Sequence, residues 1–233
     1  METNALDPLL LSLKLSGITT ILLFIACFPA AYLTARARPL LKVLIKTMAN
    51  LPFVLPSTVL GFYLLVAFAP ASPLGRLLGS LLHVRLVFTF AGLVVGSLLV
   101  SLPMMFNPLV AGFENLPPSL EEASLTLGKS RMRTLISVLL PSIKPSLLTG
   151  LAMTFAYTMG EFGVVMMIGG KIPGVTLVAS AAIYDEVESL NYGAAHLQAA
   201  VLLLISFLVL SSLFFVNIRR SSLPGRNQRK RSW

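Results

Sequence analysis

Five stretches of this sequence, at 15–33, 51–69, 86–105, 146–168 and 197–216, run for nineteen to twenty-three residues with one charged side chain, Glu161, among them. Nothing else constrains the fold as tightly. The hydrocarbon core of a bilayer is about 30 Å thick, and about twenty apolar residues of α-helix cross it. Inside it every backbone N–H and C=O needs a partner within the protein, which leaves helix as the spanning form for such runs. The sequence predicts an all-α, polytopic membrane helix bundle with about five transmembrane helices, in a single domain over 1–233. Charged residues make up 12% of the chain, about half the share of a soluble domain.

The connections carry most of the polar residues. A basic loop is expected at 36–46, with Arg36, Arg38, Lys42 and Lys46. The second run contains Pro52 and Pro56, so its first turns are expected to be kinked, and it belongs inside the bundle, where neighbours can satisfy the freed carbonyls. A loop with Pro, Gly, Ser and His83 is expected at 70–85. Ala91, Gly92, Gly96, Ser97 and Ser101 give the third run small residues for close helix contact. The apolar part of 171–195, at 175–183, is too short to cross and predicts a partial insertion or a surface helix.

Charge sets the orientation. Eighteen Lys and Arg stand against nine acids, and fourteen of the eighteen fall at 36–46, at 129–144 and in the tail at 219–233. Lys14, Arg76, Arg85 and Lys171 are the remainder. Placing the three rich segments in the cytoplasm satisfies the positive-inside rule and puts the N-terminus outside. The tail then faces anionic headgroups of the lipid bilayer, and no nucleic acid is implied. Residues 1–8 are acidic and lack a basic leader, so no cleaved signal peptide is expected. Cys27 is the one cysteine, which rules out an internal disulfide.

The longest polar-bearing stretch, at 117–141, has its own start and stop signals. Pro117 and Pro118 break what precedes it, and Ser119 stands three residues before Glu122, the capping-box spacing. Leu120, Ala123 and Leu127 form one narrow apolar stripe. Gly128 is a natural left-handed terminator, before a basic cluster and Pro141. A short amphipathic helix outside the bilayer is the reading, with an ordinary capped loop as the alternative.

The same stretch resembles the EAA loop of importer-type ABC permeases: Glu-Ala-Ala, three residues, Gly, nine residues, Ile, one residue, Leu-Pro. Glu122, Ala123, Gly128, Leu140 and Pro141 match, while Ser124 replaces the second Ala and Val138 the Ile. The resemblance implies that this helix is a cytoplasmic coupling helix and that Glu122, Ala123, Ser124, Gly128, Leu140 and Pro141 meet a separate ATPase subunit.

Catalytic chemistry finds no support. The chain has no Gly-x4-Gly-Lys-Ser/Thr loop for ATP, and His83 and His196 lack ligand-spaced partners, so no catalytic residue and no metal site is expected. Glu161 has two readings. A carboxyl group at membrane depth is a functional candidate by default. Alternatively it is protonated, or bonded to backbone or to hydroxyls such as that of Thr158, and fixes helix packing. Pro56, Ser57, Thr58, Gly160 and Glu161 are candidate pathway or gate residues, with core packing as the alternative.

Leu-Pro-Phe-Val-Leu-Pro-Ser-Thr-Val-Leu-Gly at 51–61, Gly-Glu-Phe-Gly at 160–163 and Ile-Pro-Gly at 172–174 resemble the permease subunit of molybdate ABC importers. Tungstate and sulfate or thiosulfate permeases are the alternative cargo classes, and a stand-alone secondary transporter the alternative mechanism. The resemblance implies a homodimer of permeases, two ABC ATPase subunits and an extracytoplasmic oxyanion-binding protein. It also implies a multi-pass place in a bacterial or plastid-type inner membrane. No cofactor is expected on this chain; ATP and Mg belong to the partner ATPase.

Overall fold

The computed structural model describes residues 6–81 and 84–221, all helix and connections. His83 and most of the basic tail lie outside the described residues. Helix α1 (Asp7–Ala35) opens the chain, with Pro8 in its first turn, where a missing N–H costs nothing. Its buried positions, Ser12, Leu15, Ser16, Thr19, Leu23, Cys27 and Ala31, recur every three or four residues and form one face. That face packs on α5 (Phe90–Glu114) and α9 (Lys144–Met159), and these three helices are the core of the bundle. The contact is dry. Ser101 and Thr158 share a hydroxyl–hydroxyl hydrogen bond of 2.9 Å across α5 and α9, a bond worth about 1 kcal/mol at membrane depth.

Of the expected basic loop at 36–46 only 36–38, with Arg36 and Arg38, is a connection: α2 (Pro39–Val54) already contains Lys42 and Lys46. Both lysines pair with Glu114 at the end of α5, at 3.2 Å and 2.9 Å, and side chains of Asn50 and Asn107 exchange bonds of 2.6 Å and 3.1 Å. These pairs zip α2 onto α5 and explain why the basic residues need not sit in a loop.

Among the described residues α1, α5 and the apolar part of α12 (Tyr192–Ser221) are each long and apolar enough to cross a bilayer alone. Two bent pairs are also long and apolar enough. Helix α2 continues into α3 (Ser57–Phe68) at a bend of 103°. Pro56 causes it by disfavouring helical backbone at Leu55, whose ψ is 135°. The second bend, 76°, joins the segment Arg131–Ser142 to α9 at Ile143.

Three further elements depart from the sequence expectation. The region expected as a loop at 70–85 contains α4 (Pro73–Leu81), opened by Pro73 and by a Ser72 hydroxyl that accepts the Gly75 N–H at 2.8 Å. The run at 146–168 is not one helix. It stops at Met159 and restarts as α10 (Gly163–Gly169), which packs on α3 and α5. In 171–195, α11 (Ala179–Glu188) buries Ala179, Ala181 and Ala182 and packs on α1 and α12. Lys171 pairs with Asp185 and so ties the preceding loop to that helix.

Candidate functional site

The polar stretch folds as α6 (Pro118–Thr126), α7 (Arg131–Thr134), one π-helical turn at Leu135–Leu139, and α8 (Leu140–Ser142). The start signal is not the one the spacing suggests. Pro117 is the N-cap of α6, no side-chain cap bond forms, and Ser119 lies inside the first turn. Pro118 fixes φ for the helix one residue too early for a capping box. The stripe of Leu120, Ala123 and Leu127 is not the buried face either. Leu120 is half-buried against the bundle, Ala123 is exposed, and Leu127 is 82% exposed.

Ser124 is the residue of α6 that is buried, and its hydroxyl bonds to Thr134 of α7 at 2.9 Å. That bond folds α7 back against α6. A larger or apolar residue at 124 could not make it. Gly128 has φ +79°, in the left-handed region, and its N–H bonds back to the Leu125 carbonyl at 2.9 Å. The π-helical turn follows from Pro141. Its ring cannot sit over the carbonyl four residues back, so the helix widens and the Leu140 N–H reaches the Leu135 carbonyl instead.

The result presents Leu127, Met132 and Ile136 to solvent at 82%, 65% and 55% exposure, beside exposed Glu122, Ala123 and Gly128. Leu140 is half-buried and Pro141 exposed at the far end of the same segment. The six loop residues named from sequence therefore lie on two helical stretches joined by the left-handed turn at Gly128, with Ser124 the one that is buried.

Of the candidate pathway residues, Ser57 and Thr58 lie where α10 meets α3, while Gly160 and Glu161 lie in the break before α10. Gly163 lies against the first turn of α3, and a Cβ on it would stand 2.8 Å from the Thr58 nitrogen and 2.9 Å from Ser57 Cβ. Gly61 makes the reciprocal approach: a Cβ there would stand 2.8 Å from Met167 Cβ. The two helices touch backbone to backbone. Pro56 caps α3 without a side-chain bond, so the amides of its first turn carry the positive end of the helix dipole uncapped by a side chain. Ser57 is half-buried, while Pro56, Thr58 and Gly160 are exposed.

Glu161 is 6% exposed and sits in the gap between α9 and α10. Its Oε1 accepts the Val164 N–H at 2.8 Å, capping α10, and its carbonyl accepts the Ser180 hydroxyl at 2.6 Å. The Thr158 hydroxyl serves Ser101 instead. Among the described residues no group of three His, Cys, Asp or Glu is placed to hold a metal ion, and His196 is exposed.

Sequence reasoning passed over Glu121. This residue, and not Glu122, is the glutamate of the loop that bonds its own chain: Tyr32 Oη donates to Glu121 Oε1 at 2.8 Å and Arg36 pairs with Oε2. Burial alone would raise its carboxyl, but the bonds from Arg36 and Tyr32 and the charges of Arg36 and Arg131 hold it below the ordinary value. The available signal was position: 117, 120, 121 and 124 share one side of a helix of 3.6 residues per turn.

Comparison with known proteins places these features in context. Residues 18–222 match the family described as "Binding-protein-dependent transport system inner membrane component". The chain is 44% identical to the molybdenum transport system permease protein ModB of Azotobacter vinelandii over 92% of this chain and 95% of that protein. It is 33% identical to the putative molybdenum transport system permease protein YvgM of Bacillus subtilis over 92% and 93%. It is also 33% identical to the sulfate transport system permease protein CysT of Escherichia coli, over 78% and 66%. In fold it resembles a chain of the inward-facing MetNI methionine ABC transporter, with a TM-score of 0.69 at 16% identity over 90% and 92%.

Proposed function

Because this chain belongs to the family of binding-protein-dependent transport system inner membrane components, we propose that it forms the translocation pathway for molybdate as the permease subunit of an ABC importer. As a member of that family it is a multi-pass transport subunit of the inner membrane that works with an ATPase and a binding protein. The observation that carries the cargo assignment is the near full-length match to molybdenum permeases. The sulfate permease CysT of Escherichia coli is matched over 66% of its length.

The assembly we infer is a homodimer of this chain with two ATPases and one extracytoplasmic oxyanion-binding protein. The chain itself is not catalytic, and ATP and Mg act on the ATPase. The N-terminus lies outside and the tail in the cytoplasm, supported by the charge asymmetry.

The exposed apolar patch of Leu127, Met132 and Ile136 supports the loop as the surface that seats in the ATPase. Movement of that loop passes through α8 and the bend at Ile143 into α9, whose other end is the gap held by Glu161. Beside it, the first turn of α3 offers backbone amides of positive polarity to an oxyanion, as broken helices do in other transporters. No Lys or Arg lies within the five apolar runs, so the anion is held weakly and passes on. Tight selection then rests with the binding protein.

The complex reconstituted in proteoliposomes with its ATPase and a molybdate-binding protein is expected to take up molybdate, with sulfate a poor competitor. Sulfate uptake exceeding molybdate uptake would move the chain to the sulfate class. Calorimetry on the isolated permease is expected to find no high-affinity binding of either anion. Cysteines placed from Leu120 to Lys129 are expected to crosslink to the ATPase, and a scan that captures none would remove the loop from the interface.

A further inference from the structure

The loop carries two adjacent glutamates that face opposite ways. Glu122 is exposed, whereas Glu121 is half-buried and turned toward the end of α1. There it closes a triangle of side chains. Tyr32 donates its hydroxyl to Glu121 at 2.8 Å, the Arg36 guanidinium pairs with the other carboxylate oxygen, and Arg36 lies 3.9 Å from the Tyr32 ring centroid. Tyr32 and Arg36 are four residues apart, so they leave α1 on one side. The triangle is braced from behind. Tyr32 meets Phe113 of α5 edge-on, with ring centroids 5.6 Å apart.

A half-exposed ion pair adds little to stability, because solvent screens it and two side chains must be ordered. Its consequence here is geometric. A neutral hydroxyl and a guanidinium approach the carboxylate on different oxygens, so the group is fixed in direction as well as distance. The only other polar tie from α6 to the helices of the loop is the Ser124–Thr134 bond, which lies within the loop itself among the described residues. Glu121 is thus the polar link from the loop to a long transmembrane helix.

That helix leads to the second site. At the other end of its buried face, Ser16 donates its hydroxyl to Met159 Sδ at 3.7 Å, at the last residue of α9 before the Glu161 gap. One turn earlier, Ser12 accepts the Ala179 N–H at 2.8 Å, at the start of α11. Helix α1 is continuous from Ser12 to Tyr32. It is one helix from the loop to the break, with Pro29 inside it, whereas the route through α9 passes a bend of 76°.

We propose that Glu121 is the positioning residue through which the coupling loop grips α1, so that loop movement reaches the Glu161 gap along α1 in parallel with α9. This rests on the coupling reading given above. The test uses the whole complex in proteoliposomes and measures molybdate moved per ATP hydrolysed, together with the crosslink from a cysteine at Leu127 to the ATPase. Glu121→Gln is expected to lower transport per ATP about threefold, the size of one half-exposed ion pair, while ATP hydrolysis and the crosslink persist. The charge exchange Glu121→Arg with Arg36→Glu is expected to recover much of the lost ratio, which a purely structural defect would not do.

An unchanged ratio in Glu121→Gln overturns the proposal. Loss of ratio and crosslink together also overturns it, because Glu121 would then serve docking. If Glu121→Gln does not accumulate in the membrane, Arg36→Gln decides by the same two readouts. Absence of the crosslink in the unsubstituted complex is a different failure, and it would strike the coupling reading itself.

Discussion

The two bends of this chain lie in contrasting surroundings. Both have proline beside them, Pro52 and Pro56 at one and Pro141 and Pro145 at the other. At the first, Leu55 is half-buried and Pro56 exposed, and the chain beyond it lies against α10 through glycine backbone. At the second, Ile143 is 2% exposed in the cluster that also holds Met105, Leu109 and Phe113. A bend pinned by a buried side chain transmits displacement, since a dense interior shifts between discrete arrangements and does not deform smoothly. A bend open on one side can change its angle. The buried bend joins the loop at 117–141 to the bundle, and the open one starts the helix that packs on α10.

The sharpest way to break this comparison is to truncate each hinge. Ile143→Ala is expected to destabilise the chain by about 3 kcal/mol, from lost packing and the cavity left behind. Leu55→Ala is expected to cost less than about 1 kcal/mol, since a half-exposed side chain has fewer partners. Thermal unfolding of the two purified variants in one detergent measures the pair. Equal losses would remove the distinction.

The next effect probes the open bend where it touches α10. Gly163→Val places side-chain atoms against the first turn of α3, and we expect a loss of about 2 kcal/mol in stability. Transport should fall further than stability does, because α3 must shift away from the Glu161 gap. Uptake by proteoliposomes containing equal amounts of folded complex separates the two. Wild-type uptake would show that the close approach is not required.

At the loop beyond the buried bend, Gly128→Val forces a β-branched residue into φ +79°, at a strain of about 1–3 kcal/mol. Open space surrounds the site, so the chain should still insert and fold. ATP hydrolysis is expected to continue with little transport. Full coupling in Gly128→Val would mean that the left-handed turn is dispensable.

The smallest expected effect concerns pH. The Glu121 carboxyl is held below its ordinary value of about 4.3, so its contribution is fully present above that value and is lost only as pH falls through the lower, folded one. Transport per ATP should therefore be flat between about pH 6 and 8. A decline inside that window, absent in Glu121→Gln, would place a different titration at the latch.

Some of this was legible in the chain because it follows from local rules. Three of the five apolar runs lie largely within helices long and apolar enough to cross a bilayer alone, α1, α5 and α12, because length and hydropathy act on each segment separately. Gly128 announces a left-handed turn, and Leu-Pro at 140–141 announces an irregular helix. The match of Glu122, Ala123, Gly128, Leu140 and Pro141 to a known loop pattern already named the family to which the chain belongs. The capping box at Ser119 was misread because Pro118 sets the start of α6 by itself. The apolar stripe was misread because, of its three residues, Leu120 packs on the bundle while Ala123 and Leu127 are exposed.

Sequence by itself determined the apolar, helical character of the chain and the family pattern of its polar stretch, since solvent and backbone chemistry act on each segment separately. Only the tertiary structure decided which of two adjacent glutamates turns inward, that Lys42 and Lys46 lie on a helix against Glu114, and that the fourth apolar run breaks around Glu161. Each depends on a partner far away in the chain: Tyr32 and Arg36 for Glu121, Glu114 for the lysines, Ser180 for the Glu161 carbonyl. No local pattern encodes such a partner, because it is brought near only when the helices have packed.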